Sequence, residues 1–242
     1  MAMKILVTND DGIQSYGLKV LAEFAKTLGD VTVSAPKNPQ SAKSHAITVH
    51  TPIEIEKVDY LDGVTAYSVD STPVDCVRFA TIGLNTQYDL IFSGINNGYN
   101  VGEDILYSGT AAAIFETSLR QTRGIAFSTE RDNFDFAKQY LDKIYRYFTE
   151  NGLFEYNDIY NVNIPTAVKG IRLTKQGGAY YTDEFIKTDE RHFDQRGYMI
   201  YRYGSDLTLD TDATMNGYIS VTPLSTKRDN IAAYEAIKKN LK

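Results

Sequence analysis

Short apolar runs alternate with amphipathic stretches through the first part of the chain. Ile5-Leu6-Val7-Thr8 is an apolar run that stops at Asn9-Asp10-Asp11-Gly12, which predicts a buried strand and then a tight turn. Leu18, Leu21, Ala22, Ala25 and Leu28 recur at helical spacing, with Gly29 placed to close the helix as its C′ residue. Val31-Thr32-Val33-Ser34 predicts a second strand, so strand, helix and strand form a βαβ unit with parallel pairing. The alternation continues downstream. Thr72 and Pro73 suit the N-cap and first position of a helix. Leu90-Ile91-Phe92-Ser93 and Ile125-Ala126-Phe127-Ser128 read as strands, and residues 109–119 read as a helix opening just after Ser108. Ala137, Tyr140, Leu141, Ile144 and Phe148 mark an amphipathic helix closed near Gly152, and Asn161-Val162-Asn163-Ile164 is a strand stopped by Pro165.

Past about residue 170 the pattern changes. Tyr180, Tyr181, Tyr198, Tyr201 and Tyr203 crowd in, helical periodicity fades and hairpin-like runs appear, before a final helical run over residues 232–241. The prediction is an α/β fold: a doubly wound, mostly parallel sheet over residues 1–170, and a β-rich C-terminal extension over residues 171–242 within the same structural unit.

Composition narrows the function classes. Hydrophobic residues make up 43% of the 242, enough for a packed core. The net charge of −6 argues against gripping polymeric nucleic acid, which needs clustered Lys and Arg. A single small phosphorylated molecule stays within reach if a metal ion supplies the positive charge. The lone cysteine, Cys76, excludes an intrachain disulfide and a Cys-rich zinc site. No apolar run approaches the roughly 20 residues of a membrane helix, and the N-terminus lacks the layout of a signal peptide. The expectation is a cytoplasmic protein without membrane attachment.

Polar clusters fall where such a sheet binds ligands, after the carboxyl ends of its strands. Neighbouring strand residues point to opposite faces, so Asp10 and Asp11 can share one ion only if the backbone turns, as Gly12 permits. Two carboxylates so close repel unless a cation or proton relieves them, and hard ions such as Mg²⁺ or Mn²⁺ take oxygen ligands. The same Asn-Asp-Asp-Gly is also ordinary turn chemistry. Ser108-Gly109-Thr110 is a candidate phosphate cradle at a helix start, or a plain serine cap. In the stretch from Gly94 to Asp104, Asn96 offers a neutral oxygen; the glycines there form neither a dinucleotide fingerprint nor a P-loop. His45, His50 and His192 read as surface or structural groups, and the late tyrosines as packing or interface residues, with stacking on a base as the alternative.

Taken together, Asn9-Asp10-Asp11-Gly12, the stretch from Ser71 to Val77, Ser93-Gly94-Ile95-Asn96-Asn97-Gly98 and Tyr107-Ser108-Gly109-Thr110 resemble the SurE family of stationary-phase survival proteins, which are 5′(3′)-nucleotidases. Val162-Asn163-Ile164-Pro165 and the stretch from Gly217 to Leu224 extend the resemblance over nearly the whole chain. It implies a Rossmann-like core and a C-terminal part used in oligomerisation, as a homodimer or homotetramer. It implies a nucleoside monophosphate substrate and a divalent cation, Mg²⁺ or Mn²⁺, held by Asp10, Asp11, Ser41 and Asn96. Asp10 and Asp11 are then the catalytic residues, and Asn96, Ser108, Gly109 and Thr110 bind the phosphate. One departure concerns the serine loop: the family's Arg-Ser-Gly block is Gln40-Ser41-Ala42 here, with Ser44 as the fallback ligand. A short-chain polyphosphatase or another small-phosphoester hydrolase would use the same groups. A non-catalytic nucleotide-binding or receiver-like module is the alternative of another class. A receiver would need a phosphoacceptor Asp where Ser93-Gly94 stands.

Overall fold

The computed structural model describes residues 2–241. Its centre is a nine-stranded sheet in which β1 (Met3–Thr8) lies between β2 (Gly29–Pro36) and β5 (Leu90–Asn97), parallel to both. β4 (Thr65–Val69) extends the parallel run beyond β2, and β3 (Ile55–Val58) closes that edge antiparallel. On the other side β6 (Arg123–Thr129) and β7 (Ile159–Ile164) continue it in parallel. The central strands are apolar on both sides because both faces of the sheet are covered. Ile5 and Val7 of β1 enter one core with Phe92 and Phe127, while Leu6 and Ile91 point into a second cluster on the opposite face.

α1 (Tyr16–Ala25) and α5 (Leu141–Glu150) supply Leu18, Leu21, Ile144 and Phe148 to the larger core, and α4 (Phe134–Lys138) adds Ala137. α2 (Pro73–Arg78) and α3 (Gly109–Leu119) pack together on the other face. Thr72 caps α2 and Ser108 caps α3, as expected. Two expectations are corrected. α1 ends at Ala25 with Lys26 as its cap, and Gly29 opens β2 paired with Met3 instead of closing the helix. The single amphipathic helix is two helices, with Gln139 and Tyr140 between them.

Residues beyond 170 divide three ways. β8 (Gly170–Leu173) and β11 (Tyr218–Pro223) complete the main sheet, with β11 antiparallel to β7 and parallel to β8, and α6 (Asp210–Met215) packs against β11. β9 (Tyr181–Lys187) and β10 (Phe193–Met199) form a separate two-stranded hairpin. α7 (Ile231–Asn240) buries none of its residues. Among the described residues no helix is long and apolar enough to cross a membrane.

The winding fixes where a ligand can sit. The chain runs from β1 outward through β2 to β4, then returns to lay β5 against the other side of β1. The switch point therefore lies between β1 and β5, and a crevice opens beyond their carboxyl ends.

Candidate active site

Thr8 pairs with Ser93 at the last register of β1 and β5, so the loops after both strands start side by side. The turn expected after β1 is present. Gly12 has φ 94°, and Asn9 Nδ2 donates to the Gly12 carbonyl at 3.0 Å and to Ser15 Oγ at 2.6 Å. Ser15 in turn caps α1, so the turn is held from both ends.

Asp10 is 5% exposed and faces the start of α3. Thr110 Oγ1 donates to its Oδ1 at 2.6 Å. A Cβ on Gly109 would stand 2.9 Å from Asp10 Cβ and 3.0 Å from Oδ2, so glycine is what lets the first turn of the helix approach the carboxylate. The helix presents its electropositive end there. Burial nevertheless dominates and pushes the Asp10 pKa up to about 6, against the Thr110 hydrogen bond and with the help of the Asp11 charge. Asp11 is less buried. Its pKa is also raised by burial, countered by the Asn97 N–H, which donates to Oδ2 at 3.1 Å.

The loop after β2 meets the same place, since the Gln40 N–H donates to the Asp10 carbonyl at 2.7 Å. Ser41 follows at once and is exposed. Ser44 is committed elsewhere: its hydroxyl donates to the Leu106 carbonyl at 2.7 Å. From β5, Asn96 Nδ2 donates to the Gly98 carbonyl at 2.8 Å, which turns the amide so that Oδ1 is its open atom. The sequence-predicted residues thus come from the turn after β1, the loop after β2, the end of β5 and the start of α3, with Thr110 in an altered part. Its side chain is fully buried and its proton is spent on Asp10, so it holds the carboxylate instead of offering a donor to phosphate. Ser108 Oγ accepts from the Ala111 N–H at 3.0 Å as the helix cap, which leaves its own proton to donate.

Sequence reasoning missed the groups that fix the Asn96 loop. Asn100 is clamped by the next two strands: its N–H donates to Asn163 Oδ1 at 2.9 Å and its Nδ2 to Ser128 Oγ at 2.9 Å. Its carbonyl accepts from Asn161 Nδ2 at 2.7 Å and Asn163 Nδ2 at 2.9 Å. The signal was present as two asparagines spaced by two in an otherwise apolar strand, on one face of β7. Asp210 does similar work farther out. It accepts from the N–H groups of Gly102 at 3.1 Å and Gly177 at 2.8 Å, tying the loop to the extension. His45 is anchored: its Nε2 lies 3.1 Å from Glu116, whose side chain is 3% exposed and also pairs with Arg78 and Arg120.

Among the described residues no group of three or more His, Cys, Asp or Glu could hold a metal ion. A cation in the crevice would meet two carboxylates and neutral oxygens. Thr8 Oγ1, Asn9 Oδ1 and Ser93 Oγ, at the ends of β1 and β5, are buried without a hydrogen-bond partner. A crevice rich in under-used oxygens suits a hard divalent ion.

Comparison with known proteins gives one family throughout. The family model "Survival protein SurE" matches residues 5–183. A protein of Caldanaerobacter subterraneus named 5′-nucleotidase SurE is 39% identical over 97% of this chain and 95% of its own. A Clostridium botulinum protein of the same name is 36% identical over 98% of this chain and 99% of its own. The crystal structure of the SurE protein from Aquifex aeolicus superposes with a TM-score of 0.81 at 33% identity, covering 98% of this chain and 99% of that one. Sequence and fold agree over nearly the full length, and the chain belongs to the SurE family.

Proposed function

We propose that this chain is a metal-dependent 5′-nucleotidase, hydrolysing nucleoside 5′- and 3′-monophosphates to nucleoside and phosphate in the Asp10–Asp11 crevice. The observation that carries the reading is the Asp10 carboxylate, buried against the first turn of α3 beside Asp11, where burial disfavours its charge. The names of the relatives, 5′-nucleotidase SurE, support the substrate class.

The donor set fits Mg²⁺ or Mn²⁺, with Asp10, Asp11, Ser41 and Asn96 as its holders. Such an ion would neutralise phosphate charge and activate water for attack. The chain's own groups have separable tasks. Thr110 fixes Asp10. Asp11, the more open carboxylate, accepts the proton of the attacking water. Ser108 Oγ and the Gly109 N–H face the phosphoryl oxygens from the electropositive end of α3 and strengthen their hold as charge shifts in the transition state. The exposed aromatics of the hairpin, Phe185 at 69% and Phe193 at 54%, together with the unburied α7, are the surfaces for subunit contact in a homodimer or homotetramer.

Phosphate release from a panel of nucleoside 5′- and 3′-monophosphates and short polyphosphates tests the reading. Release from nucleotides should need added Mg²⁺ or Mn²⁺ and stop in chelator. Full turnover in chelator after dialysis would refute the metal, and turnover of polyphosphate alone would refute the substrate.

A further inference from the structure

A cavity of about 600 Å³ adjoins the crevice, and apart from Ser108 its lining takes no part in the steps above. That volume lies within the range of small-ligand sites. Ser108, the cap of α3 next to Gly109, stands at one end. The cavity then follows α3 past Ala112 and Phe115 to Leu119. These positions are spaced by four, three and four, so they form one stripe of the helix. From Ser108 to Phe115 the helix rises about 10 Å, on the order of the length of a nucleotide.

The facing wall is built to stay in place. The rings of His45 and Phe115 lie 6.4 Å apart at 21°, an offset stack. His45 Nε2 meets buried Glu116 at 3.1 Å, and Arg78 and Arg120 hold that carboxylate from other sides. In the tautomer that donates Nε2–H to Glu116, the ring offers Nδ1 as an acceptor. That suits an amino group or ring N–H of a base. Lys227 and Arg228, after β11, bring positive charge to the rim.

We propose that this cavity receives the nucleoside of the substrate, with the base against the His45–Phe115 wall and the phosphate at the Ser108 end. The proposal rests on the nucleotidase reading above. Adenosine 5′-monophosphate and ribose 5-phosphate test it, because they share sugar and phosphate and differ in the base. The parent protein should prefer the nucleotide. Phe115→Leu removes the ring and keeps an apolar side chain. It should lower the ratio of kcat/KM for the nucleotide over ribose 5-phosphate by about tenfold or more, chiefly through KM, as expected for one lost base–ring stack. A second measurement needs no variant: free adenosine should compete with ribose 5-phosphate on the parent protein. Equal losses on both substrates, or no competition by millimolar adenosine, would overturn the subsite and leave the phosphatase standing. No release by the parent from either compound with Mn²⁺ would overturn the nucleotidase reading, and the subsite with it.

Discussion

Replacing Asp10 by Asn should stabilise the metal-free protein while abolishing its activity. The carboxylate titrates near an ordinary 3.8 in the unfolded chain and at about 6 in the fold, chiefly because burial opposes its charge. The folded state therefore binds the proton more tightly than the unfolded state between those values. Stability from this group is fully present below the unfolded pKa and is lost as pH rises through the folded one. The rise of roughly 2 corresponds to about 3 kcal/mol withheld from the metal-free fold at neutral pH. Asn removes the charge, keeps the shape and still offers Oδ1 to the Thr110 hydroxyl.

In chelator near pH 7.5 the variant should thus gain up to about 3 kcal/mol, a rise of up to about 6–12 °C in Tm for a chain of this size. Near pH 4.5 the parent carboxylate is mostly protonated in the fold, and the gain should shrink to about 1 kcal/mol. Added Mn²⁺ should then raise the Tm of the parent and leave the variant nearly unmoved, since binding to the folded state stabilises it by mass action. Turnover should fall at least about a hundredfold. Thermal melts at the two pH values, with and without metal, carry the test. A variant no more stable than its parent in chelator, or a gain independent of pH, would refute the reasoning that burial opposes the Asp10 charge.

Thr110→Val keeps shape and removes the proton given to Asp10, so half-maximal activity should need about ten times more metal, read by titration of Mg²⁺ against phosphate release; an unchanged requirement would free Thr110 from this role. Asn163→Ala leaves the Asn100 N–H and carbonyl short of partners in a buried place, and should cost about 2–3 kcal/mol in urea unfolding; a loss below about 0.5 kcal/mol would mean that the clamp is not needed. Light scattering should find at least a homodimer at micromolar concentration, and a strict monomer would return the hairpin aromatics to an unexplained surface.

The parts of the site that sequence made legible are those announced by backbone. Apolar runs broken by Asn9-Asp10-Asp11-Gly12 and by Ser93-Gly94 mark strand ends, and a parallel sheet puts ligands there whatever the details of its packing. Ser108 was legible as a cap because capping is local. Thr110 was not, because a hydroxyl in the first turn of a helix reads the same whether it faces a ligand or a carboxylate. The choice is made by β5 returning beside β1 and by α3 packing over the join, contacts between residues a hundred positions apart. Four-residue β8 was hidden for a related reason, since so short a run has no periodicity of its own and is a strand only because β11 lies beside it. Long-range packing also gives the acidic pair its chemistry. In an exposed turn, Asp10 and Asp11 would titrate as ordinary carboxylates and bind a cation weakly. Pressed under α3 and screened from water, Asp10 destabilises the fold by its own charge, and the divalent ion proposed above would relieve that cost. If the proposed ion binds there, it would recover part of the cost that burial imposes on the charge, so Asp10→Asn should both stabilise the metal-free protein and weaken its hold on metal.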